Sequence, residues 1–227
     1  MIPIHPVLDG LLNGGLHPGI ITTVYGPAGS GKTNIAVLAA VAVSRLGKKT
    51  VYIDTEGGFS IERVKQIAND SPDIIKHILF LRPTTFTEQK KAVEGLANID
   101  GKVGLIIVDS ISMLYRLEMG GDDVFDVNRA LGKQLAGLIS IAAKRSIPIL
   151  LTNQVYSAFD ERNKVSMVGG DLLRYGSKCL VELQITPDNK RRAILRKHPS
   201  DGERTTLFSI VQDGIAEAKE SRGFKLF

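Results

Sequence analysis

Residues 26–33 constrain this chain more than any other stretch. They read Gly-Pro-Ala-Gly-Ser-Gly-Lys-Thr and fit the pattern G-x-x-x-x-G-K-[ST] of a phosphate-binding loop. Residues 20–25, before the loop, are rich in β-branched side chains and predict a strand. Residues 34–45, after it, are rich in Ala, Val and Leu and predict a buried helix. A strand, a glycine-rich loop and a helix in this order form the geometry that surrounds a phosphate group.

Each type of residue in this phosphate loop has a part in the prediction. Gly26, Gly29 and Gly31 allow backbone N–H groups to point at an anion, and the helix start adds its positive dipole end. We expect Lys32 to reach the β- and γ-phosphate oxygens and the Thr33 hydroxyl to bind Mg²⁺. The remaining predicted nucleotide contacts lie within the loop or directly after it: Pro27, Ala28, Ser30 and Asn34. The complete motif and its flanks favour this interpretation over a glycine-rich turn without a ligand.

Length and composition indicate an ordinary globular protein. The chain has 227 residues, 43% hydrophobic and 23% charged, which favours one domain over residues 1–227 with residues 1–19 as a lead-in segment. The absence of a long apolar run and of a secretory signal pattern predicts a cytoplasmic protein without membrane contact. The single cysteine, Cys179, lies in an apolar run and excludes an intrachain disulfide. The net charge of +5 permits nucleic-acid binding without requiring it.

Alternating strand and helix patterns predict the fold of the chain up to residue 152. Apolar periodicity predicts further strands at residues 49–54, 77–81, 103–110 and 147–152, and helices at residues 59–69, 84–97 and 127–144. A polar segment at 156–168 predicts a surface loop, and three alternating segments then predict closing strands, antiparallel at one edge: residues 178–186, 191–197 and 205–210. The predicted fold class is α/β, with a mostly parallel central sheet flanked by helices and antiparallel edge strands.

Three polar residues follow predicted strand ends, where parallel α/β folds place their ligands. Asp109 is a candidate Mg²⁺ ligand with Thr33, supported by Ser110; the alternative is a simple turn carboxylate. Glu56 is a candidate for orienting and deprotonating an attacking water; the alternative is a partner for the cap of the next helix. Gln154 is a candidate sensor of the γ-phosphate; the alternative is an ordinary polar loop residue. With Lys32, Glu56 and Gln154 form the candidate catalytic set.

At these positions the chain resembles the ATPase core of the RecA/RadA recombinases, and most closely their archaeal RadB branch. The resemblance covers nearly the whole chain and depends on the phosphate loop together with residues 8–15, 52–57, 105–110, 114–116, 152–155 and 169–171. It implies a RecA-like P-loop NTPase core with ATP and Mg²⁺ as ligands. By the same resemblance Glu56 is the catalytic glutamate and Gln154 the switch glutamine. The resemblance also implies an archaeal DNA-binding protein of homologous recombination and DNA repair, with weak ATPase activity.

The chain departs from the recombinases in the parts that handle DNA. We expect neither their helical N-terminal DNA-binding domain nor the linker with its aromatic polymerisation anchor. Residues 117–123, after Arg116, are acidic where a recombinase has a basic DNA-binding loop. In the second DNA loop, residues 157–168, Arg162 and Lys164 are opposed by two acidic residues. These departures predict an accessory protein rather than an efficient strand-exchange enzyme.

Basic residues instead cluster late in the chain, around Lys190, Arg191, Arg192, Arg196 and Lys197. Such a cluster is either a solvated strand face or a surface that contacts nucleic-acid phosphates. The candidate nucleic-acid contacts are Arg162, Lys164, Arg191 and Arg192. The position of Lys197 is near the place where related recombinases contact ATP across a subunit interface. We therefore hypothesise that Lys197 acts on the phosphates of a neighbouring subunit.

These patterns leave several partners and functions open. The resemblance implies binding to DNA, with single strands favoured, and self-association. It also suggests a recombinase, a Holliday-junction nuclease or a DNA polymerase as protein partners. Two other functions compete with an accessory ATPase. One is a KaiC-like phosphotransferase or nucleotide kinase, which needs an acceptor site, and the other is an ATP-gated scaffold for repair proteins.

Overall fold

The computed structural model describes residues 1–69, 71–120, 123–156 and 166–219. Its strands are β1 (Ile21–Tyr25), β2 (Lys49–Asp54), β3 (Ile78–Leu81), β4 (Val103–Asp109), β5 (Ile149–Asn153), β6 (Val155–Tyr156), β7 (Ser166–Met167), β8 (Cys179–Ile185), β9 (Arg191–Lys197), β10 (Arg204–Val211) and β11 (Gly214–Glu217). Its α-helices are α1 (Pro6–Leu11), α2 (Lys32–Arg45), α3 (Ile61–Ala68), α4 (Pro72–Lys76), α5 (Phe86–Gly95), α6 (Met113–Glu118), α7 (Val124–Arg145) and α8 (Gly170–Gly176). A short 3₁₀ turn, Leu96–Asn98, follows α5.

Within these ranges, one nine-stranded sheet has the order β11-β10-β9-β8-β1-β5-β4-β2-β3. The strands from β8 to β3 pair in parallel, and β9, β10 and β11 continue the sheet in antiparallel fashion. β8 marks the change of direction, because it is parallel to β1 and antiparallel to β9. The predicted α/β class, with a mostly parallel sheet and antiparallel edge strands, is confirmed.

Strand β4 lies inside the sheet, and its sequence is apolar at successive positions because both of its faces are buried. Leu105 and Ile107 belong to one apolar core, which packs against α2, whereas Ile106 and Val108 belong to a second core, which includes residues of α5 and α7. Successive side chains of a strand point to opposite faces, so a strand between two helical layers is buried on both. The sheet with its two helical layers fixes the strand ends that carry the candidate site residues.

The lead-in segment packs onto the sheet domain. α1 has its buried residues, Leu8 and Leu11, in the same core as α2. Ile2 and Leu16 form an isolated bridge, with the Ile2 N–H donating to the Leu16 carbonyl at 2.8 Å. The helix is followed by a turn in which Gly15 has a φ of 110°, and a Cβ there would lie 2.2 Å from the Ile2 carbonyl oxygen. The lead-in segment thus contributes one short helix, α1, to the core of the sheet domain.

Sequence patterns missed the shortest elements. α4, α6, α8 and β11 have 5, 6, 7 and 4 residues, respectively. Segments of this length contain too few positions for a helical or strand period to stand out. The predicted surface loop at 156–168 lies largely outside the described residues, and its two ends pair as β6 and β7. No helix in the described part of the chain is both long and apolar enough to span a membrane.

Candidate nucleotide-binding site

The carboxyl ends of four neighbouring strands meet at one edge of the sheet. The phosphate loop follows β1, and β5, β4 and β2 lie beside it in that order. Together they border a cleft of about 1050 Å³. The cleft is lined by most of the phosphate loop and by Asn34, Glu56, Arg116, Gln154, Val155, Tyr156, Leu183, Gln184, Ile185 and Ile210. The fold therefore brings together Lys32, Glu56 and Gln154, which the sequence placed at separate strand ends.

The glycines of the loop allow it to bend and to lie against the sheet. Gly29 and Gly31 have φ values of 73° and 100°, a region that favours glycine. Gly31 is also the residue at the N-cap of α2, so the loop leads directly into the helix start. A Cβ at Gly26 would lie 2.4 Å from the Leu183 carbonyl oxygen of β8. This close approach makes glycine necessary at position 26.

Lys32 points into the loop that precedes it. Its Nζ donates to the carbonyl oxygens of Gly26 and Pro27, both at 2.9 Å, and the residue is 7% exposed. Burial lowers the pKa of Lys32, and the nearby carboxylates of Glu56 and Asp109 oppose this shift. An ammonium group has three N–H donors, so one remains for an anion held in the loop.

Asp109 is a buried carboxylate surrounded by hydroxyl groups. It accepts hydrogen bonds from Tyr52 (2.8 Å) and Thr152, and the Thr33 hydroxyl lies close enough to stabilise its charge. Burial raises the pKa of Asp109, and the three hydroxyl groups act in the opposite direction. The two predicted Mg²⁺ ligands, Thr33 and Asp109, therefore lie near each other. Sequence reasoning missed Tyr52 and Thr152, because each lies inside a strand where its residue type fits the pattern of the sheet.

Glu56 and Gln154 form a direct contact across the cleft. Gln154 Nε2 donates to Glu56 Oε1 at 2.9 Å, and Ser110 Oγ donates to the same oxygen. On the other side, Arg116 Nη1 donates to Gln154 Oε1 at 3.5 Å. The backbone N–H of Gln154 also donates to Ser112 Oγ at 3.2 Å. A continuous line of side chains thus joins Arg116 to Ser110 through Gln154 and Glu56.

The turn that carries Glu56 is held by Asp54, a residue that sequence reasoning did not select. The 1% exposed carboxylate of Asp54 accepts four backbone N–H groups, from Glu56 (3.2 Å), Gly57 (2.8 Å), Gly58 (3.3 Å) and Phe59 (3.3 Å). The next helix, α3, is capped by the Ser60 side chain. The alternative role of Glu56 as a partner of that cap is therefore wrong.

Within the described ranges, the residues predicted to contact nucleic acid or a neighbouring subunit are not among those that line the nucleotide cleft. Arg191 Nε donates to the Gly29 carbonyl at 3.2 Å, so this side chain contacts the phosphate loop. Lys197 Nζ donates to the carbonyls of Arg174 (2.9 Å) and Ser177 (2.7 Å) at the end of α8, away from the cleft of its own chain. Arg192 occupies β9, opposite Gln184 and Leu207. Arg162 and Lys164 lie outside the described residues. The functional roles of these residues stay predictions.

Comparison with known proteins agrees with this geometry. A model of the Rad51 family matches residues 5–218, which is nearly the whole chain. The chain belongs to the Rad51 family. RecA-like families of this kind are generally ATPases that bind nucleotide, typically with Mg²⁺.

Relatives in the RadB branch are similar over almost their full length. The DNA repair and recombination protein RadB of Methanobrevibacter smithii is 43% identical, with 94% of each chain covered. The protein of the same name from Methanothermobacter thermautotrophicus is 42% identical, again with 94% of each covered. A solved structure, described as the crystal structure of the RadB recombinase, has a TM-score of 0.82 and 32% identity, and the match covers 96% of this chain and all of that one. The resemblance to RecA/RadA recombinases and their RadB branch is confirmed.

Proposed function

We propose that this protein is a weak Mg²⁺-dependent ATPase that binds DNA and assists homologous recombination and DNA repair. The observation that carries the proposal is the joining of Glu56 and Gln154 beside the buried Lys32, in a cleft formed around a complete phosphate loop. The names of its RadB relatives, DNA repair and recombination proteins, support the biological setting.

The donor set suits a nucleoside triphosphate and its metal ion. The phosphate loop offers backbone N–H groups and the helix start of α2, and Lys32 retains an N–H donor for a phosphate oxygen. The hydroxyl of Thr33 lies near the carboxylate of Asp109, and both are oxygen ligands of the kind that Mg²⁺ prefers. When bound there, Mg²⁺ would neutralise charge on the β- and γ-phosphates.

Hydrolysis would proceed by in-line attack of water on the γ-phosphate. Glu56 orients the water and accepts its proton, and Lys32 stabilises the charge that develops on the phosphate oxygens. Both hydrogen bonds to Glu56 fall on Oε1, so within the described residues Oε2 is the oxygen left for a water molecule. Gln154 holds Glu56 in place through this contact. As a sensor, Gln154 would exchange this contact for one to the γ-phosphate, and the exchange would slow turnover.

The line from Glu56 through Gln154 to Arg116 connects the cleft to the first of the two DNA loops of the resemblance. DNA phosphates would approach the basic side chains Arg191 and Arg192, with Arg162 and Lys164 in the second loop. Acidic residues within the first loop, such as Glu118 and Asp123, would weaken DNA binding there. From this balance of charge we expect an accessory role rather than efficient strand exchange. We also expect residues 1–227 to form one domain.

The same proposal includes self-association, protein partners and a cellular location. We expect self-association in which Lys197 approaches the nucleotide of a neighbouring subunit. A recombinase, a Holliday-junction nuclease or a DNA polymerase would be the protein partner, and the cytoplasm the location. A second function, an ATP-gated scaffold, is favoured by one observation: the Gln154–Glu56 contact couples the cleft to the loop after β5.

One experiment tests the proposal directly: ATPase rate and DNA affinity measured on the same preparation, with and without single-stranded DNA, across a salt series. We expect slow hydrolysis that requires Mg²⁺, and DNA binding that weakens steeply with salt. The variant Lys32→Ala serves as a control that loses nucleotide binding. Absence of DNA binding at low salt would contradict the proposal. Undiminished partner binding by a Glu56→Gln variant loaded with ATP would favour the scaffold over the enzyme.

A further inference from the structure

A groove between α5 and α7 is separate from the nucleotide cleft. It has a volume of about 440 Å³, and among the described residues none lines both. On α7, the lining residues Lys133, Gly137, Ile141 and Lys144 follow one another at intervals of three or four positions, so they lie on one face of the helix. This face of α7 and the residues of α5 opposite it form the walls of the groove.

The groove combines an apolar floor with a basic rim. Val93 of α5 and Ile141 of α7 are buried and line it, and Gly137 leaves the floor open because it has no side chain. The charged residues of the rim are four cations and one carboxylate: Lys90, Lys133, Lys144, Arg145 and Glu94. An occupant that brings both an apolar side chain and acidic groups would match this surface.

Two of the four cations are available to an occupant. The ammonium groups of Lys133 and Lys144 form no ion pair or hydrogen bond with another described residue. The other two are engaged, because Lys90 lies 3.9 Å from Glu94 and Arg145 donates to two backbone carbonyls after α5. The attraction between exposed cations and carboxylates is screened by salt, so binding at this groove should weaken as salt is added.

The first turn of α7 presents the complementary groups. Phe125 is 77% exposed and belongs to neither apolar core, and Val124 beside it is also exposed. Residues 117–126 contain four acidic residues and no basic one. Among them, the side chains of Glu118 and Asp123 form no hydrogen bond or ion pair with another described residue. An exposed aromatic ring in an acidic stretch of sequence has the chemistry that the groove accepts.

A single chain cannot place Phe125 in its own groove. Phe125 and Gly137 belong to the same helix, and at 1.5 Å per residue they lie about 18 Å apart along its axis. A continuous helix holds this separation fixed, so Phe125 reaches the groove only of another copy. The contact would be heterologous, because each copy offers one Phe125 and one groove on different parts of its surface.

We propose that the protein self-associates head to tail, with Phe125 of one copy docked in the α5–α7 groove of the next. This inference rests on the self-association included in the proposed function and names the two surfaces that form the contact. Each contact leaves a free Phe125 at one end and a free groove at the other, so it repeats from copy to copy and forms open chains or closed rings. A contact of this size is transient, so assembly should depend on protein concentration.

Sedimentation velocity on the full chain, across a protein concentration series at low and at high salt, measures assembly. We expect a molecular mass that rises with concentration at low salt and falls as salt is added. Phe125→Ala removes the anchor from an exposed position, so the fold should tolerate the change. We expect this variant to raise the dissociation constant of assembly by about tenfold or more. Leu46→Ala is the matched control, an exposed apolar residue outside both surfaces, and its assembly should be unchanged.

Two variants of the groove complete the set. Gly137→Met fills the groove, and a Cβ at this position would lie 4.0 Å from Val93 Cγ1, an ordinary contact distance. Methionine also favours a helix more than glycine does, so the fold should be kept. Lys133→Glu reverses one of the two available charges at an exposed position. We expect Gly137→Met to weaken assembly about as much as Phe125→Ala, and Lys133→Glu to weaken it less at high salt than at low salt.

Mixing the variants tests the head-to-tail geometry itself. Phe125→Ala keeps an open groove and Gly137→Met keeps Phe125. At concentrations where the unmodified protein assembles, each variant alone should stay monomeric, whereas an equimolar mixture should form a one-to-one complex and nothing larger.

A mixture that stays monomeric would overturn the inference, as would assembly that none of the variants weakens. Unmodified protein that stays monomeric at every concentration would contradict the self-association in the proposed function as well. Loss of DNA binding by Lys133→Glu, with assembly unchanged, would identify the groove as a nucleic-acid surface and would also overturn the inference.

Discussion

Asp54 offers the sharpest test of how the fold positions Glu56. The change Asp54→Asn keeps the size of the side chain but removes its charge and replaces one carboxylate oxygen with an NH₂ group. In the protein, Oδ1 accepts three backbone N–H groups and Oδ2 accepts the fourth, from Phe59. With the amide oxygen in the Oδ1 position, three bonds remain as neutral ones, and the NH₂ group faces the Phe59 N–H, another donor.

The expected cost follows from the type of bond lost. Hydrogen bonds to a charged group contribute about 1.5–3 kcal/mol and neutral ones about 0.5–1.5 kcal/mol, and bonds that share one acceptor are not additive. We expect the free energy of unfolding to fall by about 2–4 kcal/mol. For a chain of this size, a loss of that order lowers Tm by about 5–15 °C.

The same variant should impair hydrolysis more than nucleotide binding. Asp54 fixes the turn that carries Glu56, whereas Lys32 and the phosphate loop are held by contacts of their own. A displacement of about 1 Å at a catalytic group can reduce a rate by about 100-fold. We expect single-turnover hydrolysis to fall by about 10–100-fold, with ATP affinity within about threefold of the unmodified protein.

Thermal and denaturant unfolding, combined with single-turnover kinetics, measure both effects. Asp73→Asn is the matched control, because Asp73 is exposed and pairs at the surface with Lys76 at 2.8 Å. Exposed pairs contribute about 0–1 kcal/mol, so the control should be nearly neutral. An Asp54→Asn variant that is as stable as the control, or whose hydrolysis falls no further than its ATP affinity, would contradict this role of Asp54.

Three further predictions concern other parts of the molecule. Gly26→Ala should abolish nucleotide binding measured by titration, because a Cβ would lie 2.4 Å from the Leu183 carbonyl oxygen; retained binding would contradict this. Asp109→Asn should abolish the Mg²⁺ dependence of ATP binding without lowering Tm, since burial opposes the charge of Asp109 and the hydroxyl groups of Tyr52 and Thr152 can also accept from an amide NH₂ group; a lower Tm would contradict this. Burial and His17 lower the pKa of His198, so its contribution to stability is present above the unfolded pKa and is lost as pH falls. His198→Gln should therefore reduce the loss of Tm between about pH 7.5 and pH 5.5, and an unchanged loss would contradict this.

The sequence was sufficient for the features that repeat along a regular pattern. The phosphate loop is a contiguous motif and is recognised directly. Glu56, Asp109 and Gln154 come at the ends of apolar strands, and parallel strands end at a common edge, so the sequence predicts that the three residues lie near each other. The sheet class followed from the same periodicity. Short elements such as α8 were not predictable, because their formation depends on packing against distant parts of the chain.

The supporting residues of the site could not be predicted, for a related reason. Tyr52 and Thr152 lie on different strands, and they meet Asp109 because β2, β4 and β5 are neighbours in the sheet. Arg63 donates to backbone carbonyls in the turn between β10 and β11, which lie 148, 149 and 151 residues away along the chain. Such contacts depend on strand order and helix placement, which local sequence patterns do not specify.

We expect Glu56 to activate the water that attacks a bound nucleoside triphosphate. The most direct measurement is single-turnover ATP hydrolysis by Glu56→Gln, with ATP affinity determined on the same samples. A general base contributes about 10²–10⁴-fold to a rate, so we predict a loss of that size with ATP affinity nearly unchanged. Hydrolysis at the rate of the unmodified protein would show that another group performs this step and would contradict the account.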